Sequence, residues 1–219
     1  MIDVQNISFC YTGSGAPVLN NFSWKVDRSE SWTIVGSSGC GKTTLLYLLA
    51  GLLNPNKGMI LIEGLPVMRP RPQSGLILQD FGLLPWQTVR QNCELGLKIR
   101  KLYGADGIHA PQTIRLSNSN ETWLQKLGLE ELGDKYPNQL SGGQRQRTAI
   151  ARTLNLSPDL LLMDEPFSSL DVSTRENLQT LTYNLMIEYG ITLILVTHSI
   201  EESVFLGKKI LVLKNQPNQ

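Results

Sequence analysis

At 219 residues the chain is long enough for one compact domain with an inserted subdomain and a sizeable core. Hydrophobic residues at 41% and charged residues at 18% are ordinary for a globular protein and argue against disorder. A formal net charge of +1 leaves no basic footprint for nucleic acid, and three cysteines, Cys10, Cys40 and Cys93, form neither a disulfide pattern nor metal-ligand spacing.

The N-terminal stretch MIDVQNISF has neither a basic segment nor a long apolar core, so it does not read as a secretory signal. No apolar run reaches the roughly 18 residues a membrane helix needs. If the protein works at a membrane, it must dock on a partner that spans it. Residues 2–10, 18–26 and 58–63 read as short strands separated by Gly, Asn and Pro turns, which suggests an antiparallel patch. WTIVG (32–36), LLLM (160–163), ITLILVT (191–197) and KILVL (209–213) are dense in apolar residues, as strands covered on both faces of a parallel α/β sheet are. TTLLYLLAG (43–51) reads as a helix stopped by Gly51, and residues 172–189 as a longer one stopped by Gly190. Between them, residues 82–140 show weak helical periodicity and a polar stretch, and read as a helical insertion with 103–120 its least ordered part.

Gly36-Ser37-Ser38-Gly39-Cys40-Gly41-Lys42-Thr43 matches the phosphate-loop spacing G-x-x-x-x-G-K-[ST]. Glycines let successive N–H groups face one anion, and the helix that follows adds its positive end. Lys42 supplies a charge for the outer phosphates, and the Thr43 hydroxyl suits Mg²⁺; Thr44 continues the cradle. The strand WTIVG before the loop and the helix after it are the required context. The base-reading Asn-Lys-x-Asp of a GTPase is not matched, since the Asn-Lys here continues Asn56-Lys57-Gly58-Met59. Asp164 and Glu165 end a buried strand, where α/β sheets bind ligands. Asp164 is expected to hold Mg²⁺ through its water shell, and Glu165 to activate or orient water. Ser141, Gly142, Gly143 and Gln144 open a helix running to about Leu156 and form a second helix N-terminus ready for phosphate. By spacing alone, this second motif reads equally as a glycine-softened helix start.

Taken together, these elements resemble the ATP-binding cassette family, of which LSGGQ is the diagnostic motif. The resemblance implies an α/β phosphate-loop ATPase with a parallel core sheet, a small antiparallel β-subdomain and an inserted helical subdomain. It implies a nucleotide-binding core over 1–81 and 156–219 and a helical subdomain over 82–155. It further implies that Tyr11 stacks on adenine, that Gln79 senses Mg²⁺ and water, and that Asp171 communicates across a dimer. His198 is implied to contact the γ-phosphate, and Ser141–Gly143 to serve the nucleotide of the opposite protomer. ATP and Mg²⁺ are the implied ligands. The implied partners are a second ATPase subunit, membrane permease subunits and a solute-binding protein, with no nucleic acid. The implied location is cytoplasmic, peripheral on the inner face of the cell membrane. The segment from Phe81 to Val89, with its LLPWQTV, is similar to the nitrate, sulfonate and taurine importer branch, and Leu83, Leu84 and Trp86 are expected to form an apolar docking cluster. Ser199 stands where the family commonly has Asp, and the chain ends at Gln219, as a short member or one with a trimmed terminal helix would. Two rivals remain: a soluble cassette ATPase acting on DNA or ribosomes, and a nucleotide-gated switch with negligible turnover. The absence of coiled coils, tandem cassettes and basic arms weighs against the first, and Glu165 against the second.

Overall fold

The computed structural model describes residues 1–13, 16–103 and 119–214. The antiparallel patch is a four-stranded sheet of β1 (Ile2–Phe9), β2 (Leu19–Val26), β4 (Lys57–Ile62) and β5 (Leu65–Pro66), ordered β2-β1-β4-β5. In β1 the inward residues are Ile2 and Val4, then Ile7 and Phe9. A register shift between Val4 and Ile7, with Asn6 at φ 49°, resets the alternation so that both pairs face the same core.

The main sheet is parallel throughout: β3 (Ser31–Gly36), β6 (Ser74–Ile77), β7 (Leu160–Asp164), β8 (Thr192–Val196) and β9 (Lys209–Leu213), ordered β6-β7-β8-β3-β9. β7 and β8 are buried along their whole length. Their alternate residues feed two cores, Leu160, Leu162, Ile194 and Val196 on one face and Leu161, Met163, Leu193 and Leu195 on the other. Each buried leucine here contributes roughly 1.5–3 kcal/mol relative to exposure. β9 departs from the expectation of cover on both faces. It is an edge strand that exposes Ile210 and Val212 and buries Leu213.

On the first face lie the antiparallel sheet and α1 (Lys42–Leu49), whose Leu45, Leu46, Leu48 and Leu49 fill that core. On the second lie α2 (Val89–Tyr103), α3 (Ser119–Lys126), α4 (Gly142–Leu154), α5 (Val172–Tyr189) and α6 (Ile200–Leu206). The helices between β6 and β7 have no separate core. Val89, Cys93, Trp123, Leu124 and Leu154 share one cluster with β7, β8 and α5. Burial there pushes the Cys93 thiol up to about 12. Three elements were not anticipated: β5, two residues long, β6, four, and α6, seven. Most of the segment expected to be least ordered, 103–120, lies outside the described residues.

Candidate nucleotide site

The starts of four helices differ in one respect. α4 is capped by Ser141, α5 by Asp171 and α6 by Ser199, each accepting from a backbone N–H of its own first turn. The start of α1 has no side-chain cap. Its N-cap, Gly41, sits in the left-handed region at φ 97°, where a side chain would also meet Val18 Cγ1 at 2.8 Å. An uncapped start offers its first N–H groups, and the positive end of the helix, to an anion.

The loop from Gly36 through Ser37, Ser38, Gly39 and Cys40 leaves the C-terminal end of β3 and enters α1. Lys42 is buried, and its Nζ donates to the carbonyls of Gly36 at 2.9 Å and Ser37 at 3.0 Å. The ammonium is thus held inside the curl of the loop. Cys40 is also buried; its sulfur lies 2.6 Å from where a Gly36 Cβ would stand, so the residue can offer a ligand its backbone. The hydroxyl of Thr44 lies 3.1 Å from that of Tyr11. Tyr11 rests edge-on against Phe9, with ring centroids 4.9 Å apart; Phe9 belongs to the core, and Tyr11 faces solvent.

Thr43 Oγ1 donates to Asp164 Oδ1 at 3.3 Å across the ends of β3 and β7. Burial, with Glu165 adjacent, pushes the Asp164 carboxyl above its ordinary value, against the pull of the Thr43 hydroxyl and the Lys42 ammonium. A buried carboxylate and a hydroxyl side by side are hard oxygen donors, and a divalent cation would offset the burial cost, so the pair fits Mg²⁺. Among the described residues no group of three or more His, Cys, Asp or Glu forms a metal site. Gln79 is exposed just beyond β6, the neighbour of β7 in the sheet.

Glu165 has φ 44°, an unusual backbone for a residue with a side chain and one that costs on the order of 1–3 kcal/mol. Its amide donates to Val196 O at 2.9 Å, and Ser168 Oγ donates to its carbonyl at 3.0 Å. This turn brings its carboxylate to His198, just past β8, with Nδ1 3.1 Å from Oε2. Lys42, Thr43, Asp164, Glu165 and His198 therefore gather at the C-terminal ends of three parallel strands.

The second motif lies elsewhere. Ser141 and Gln144 form a reciprocal capping box, with Gln144 Oε1 accepting from Ser141 N at 2.9 Å and Ser141 Oγ from Gln144 N at 3.3 Å. The amides the box does not reach are those of Gly142 and Gly143. A Cβ on Gly143 would stand 2.5 Å from Thr174 Cγ2, so close packing of α4 on α5 requires glycine there whatever the motif binds. Asp171 accepts from Thr174 N at 3.0 Å, and that hydrogen bonding holds its carboxyl below its ordinary value. The cores that α1 and α4 fill are on opposite faces of the parallel sheet.

The expected apolar cluster is divided. Leu83 packs against the core, whereas Trp86 is 69% exposed. Two residues that sequence reasoning missed hold this loop. Buried Asn92 donates to the carbonyls of Leu84, Gln87 and Thr88 and accepts from Leu84 N. Arg152, in the last turn of α4, donates to Phe81 O at 2.9 Å and Gly82 O at 2.5 Å. The partners of Arg152 lie about seventy residues away in sequence, so no local signal marks it; those of Asn92 lie just upstream, in the loop that leads into its own helix.

Comparison with known proteins gives the family. The ABC transporter family profile matches residues 19–168. The taurine import ATP-binding protein of Escherichia coli (strain K12) is 40% identical, over 100% of this chain and 82% of its own length. The nitrate import ATP-binding protein of Synechococcus elongatus is 40% identical over 99% of this chain, which spans 32% of that longer protein. A dimeric post-hydrolysis ATP-binding cassette bound to ADP and Pi superposes with a TM-score of 0.82 at 29% identity, over 100% of this chain and 98% of that one.

Proposed function

The chain belongs to the ABC transporter family as an ATP-binding, ATP-hydrolysing subunit, and on that premise we propose that it powers import of a small solute, a nitrate-, sulfonate- or taurine-type anion or a related compound, as one half of a head-to-tail pair. The observation that carries this reading is that the two helices with phosphate-type starts, α1 and α4, pack into cores on opposite faces of the sheet. The uncapped start of α1 holds the nucleotide of its own chain. The start of α4, a helix packed in the opposite core, serves the nucleotide of a second subunit.

Within a chain, Lys42 exchanges the carbonyls of Gly36 and Ser37 for outer phosphate oxygens, and Tyr11 offers its ring to the base. Thr43 and Asp164, with Gln79 at the neighbouring strand end, are the residues that would hold Mg²⁺, which supplies charge neutralisation when bound. Glu165 accepts a proton from, or aligns, the attacking water. His198, oriented by Glu165, donates a hydrogen bond toward the γ-phosphate. Positioning and charge are most of what phosphoryl transfer requires. Residues 1–81 and 156–219 act as the nucleotide-binding core, and 82–155 as the arm that presents Ser141 and Trp86. Exposed Trp86, on a loop braced by Asn92 and Arg152, is the anchor for a membrane permease fed by a solute-binding protein, which puts the subunit against the inner face of the membrane. Taurine and nitrate, named for the relatives, define the class of cargo.

Uptake by cells that lack this chain is the test. Uptake of one such solute, taurine, another sulfonate or nitrate, is expected to fail, to return with the wild-type chain and to stay absent with Glu165→Gln. Unchanged uptake of all of them overturns the importer reading.

A further inference from the structure

We propose that Thr197 and Glu202 are positioning residues for His198, acting through a closed ring of hydrogen bonds that fixes the turn after β8. The inference rests on the place given to His198 above. The His198 side chain is 65% exposed, so surrounding packing does little to aim it; its direction is set by the backbone that carries it together with the one contact of Nδ1 with Glu165 Oε2 at 3.1 Å. Both flanking residues are pinned. Thr197 Oγ1 donates to Glu202 Oε2 at 2.5 Å and accepts from Ser199 N at 3.0 Å. Ser199 Oγ in turn accepts from Glu202 N at 3.3 Å, and Ser199 O accepts from Ser203 Oγ at 2.8 Å. Thr197 N donates to Ile34 O at 3.2 Å, which ties the turn to the strand that enters the phosphate loop.

The ring depends on the carboxylate. A hydroxyl has one proton, and donating it to Glu202 turns the lone pairs of Thr197 toward Ser199 N–H. Without that acceptor the hydroxyl rotates, the Ser199 amide loses its partner, and the peptide carrying His198 gains freedom. Glu202 is 4% exposed and Thr197 1%. A buried carboxylate is costly unless hydrogen-bonded, and an apolar side chain would fill this position on α6 for packing alone. Ser199 completes the ring by capping α6, a task that the family's usual Asp would also perform, so the departure leaves the ring possible.

The chain has two histidines, His109 and His198, so ring-labelled histidine gives an NMR spectrum of two side chains, assigned with His198→Gln. In Thr197→Val the His198 ring signal is expected to shift or broaden while that of His109 stays in place. ATP turnover should fall about tenfold or more, as misplacement of a catalytic group does, with KM for ATP within about twofold. Thr197→Ser should restore both readouts. Glu202→Met, which keeps the side-chain length, should reproduce the Thr197→Val signal change if that variant folds poorly. An unaltered His198 signal in a folded Thr197→Val overturns the proposal, whatever happens to turnover, and so does Thr197→Ser behaving like Thr197→Val. If His198→Ala hydrolyses ATP at the parental rate, the role given to His198 fails, and the ring signals still decide whether Thr197 and Glu202 position it.

Discussion

Glu165 holds its left-handed backbone at φ 44° through hydrogen bonds made by its own main chain, so a glutamine fits the same turn at nearly the same volume. Glu165→Gln is expected to keep nucleotide binding and to lose about 10²–10⁴ in hydrolysis, the usual cost of removing a positioned base. Phosphate release and nucleotide binding, measured on the same preparation, check this; turnover at the parental rate removes Glu165 from its role. Gly143 makes a different demand, because an added Cβ would stand 2.5 Å from Thr174 Cγ2. Gly143→Ala should destabilise the fold by about 1–3 kcal/mol through overpacking, and Thr174→Ser, which removes the offending methyl, should recover most of the loss in urea unfolding. At this scale the phosphate loop and the paired acids were legible because the chemistry forces residue types at fixed short spacings. Asn92, Arg152 and Glu202 were not. Each is a polar residue on a helix whose meaning comes from its hydrogen-bond partners: those of Arg152 only folding brings near, and those of Asn92 and Glu202 lie in the adjoining loop or turn, whose conformation the residue pattern does not spell out.

The strands β7 and β8 were readable because both faces are buried, which removes the polar alternation and leaves an unbroken apolar run. β9 carries the same kind of run, KILVL, yet lies at the edge with one face open, since composition does not encode strand order. β6 is four residues long and α6 seven, too short for a period to emerge; β6 exists through its pairing with β7 and α6 through the Ser199 cap. Glu30 links two of the sheet's elements. It accepts from Lys209 at the start of β9, from Trp32 Nε1 at 2.7 Å and from Asp27 N at 3.1 Å. Burial raises its pKa, but those donors outweigh it and hold the carboxyl down at about 2, from 4.5. A depressed pKa means the ionised form stabilises the fold above 4.5, and that contribution is lost as pH falls from 4.5 toward 2. Urea unfolding should therefore lose stability over this window more steeply in the wild type than in Glu30→Gln. After allowance for solvent screening, the difference is on the order of 1 kcal/mol. Equal slopes would show that the link between β3 and β9 contributes nothing.

The parallel sheet separates α1 from α4, and this division has consequences for the assembled molecule. On the function proposed above, a nucleotide held by Lys42 is covered on one side by its own chain, and the Gly142 and Gly143 amides left by the Ser141 box serve a neighbour's nucleotide. Ser141 is exposed, and arginine there places a long cation where an anion should approach. Ser141→Arg is therefore expected to bind ATP through its own loop and to fail in pairing. It also removes a helix cap, at roughly 1 kcal/mol, so Ser141→Gly serves as the control, since glycine at an N-cap costs only a few tenths. With Glu165→Gln in all proteins to slow turnover, sedimentation with MgATP should show dimers for the parent and for Ser141→Gly, and monomers for Ser141→Arg. Lys42→Ala should remain monomeric alone, for lack of nucleotide. Mixed with Ser141→Arg, it should form some dimers with one intact composite site, pairing the loop of Ser141→Arg with the unaltered motif of Lys42→Ala. A self-contained site predicts the reverse order, with Ser141→Arg losing its own nucleotide. ATP-dependent dimers that persist undiminished with Ser141→Arg would sink the role in trans assigned to that motif.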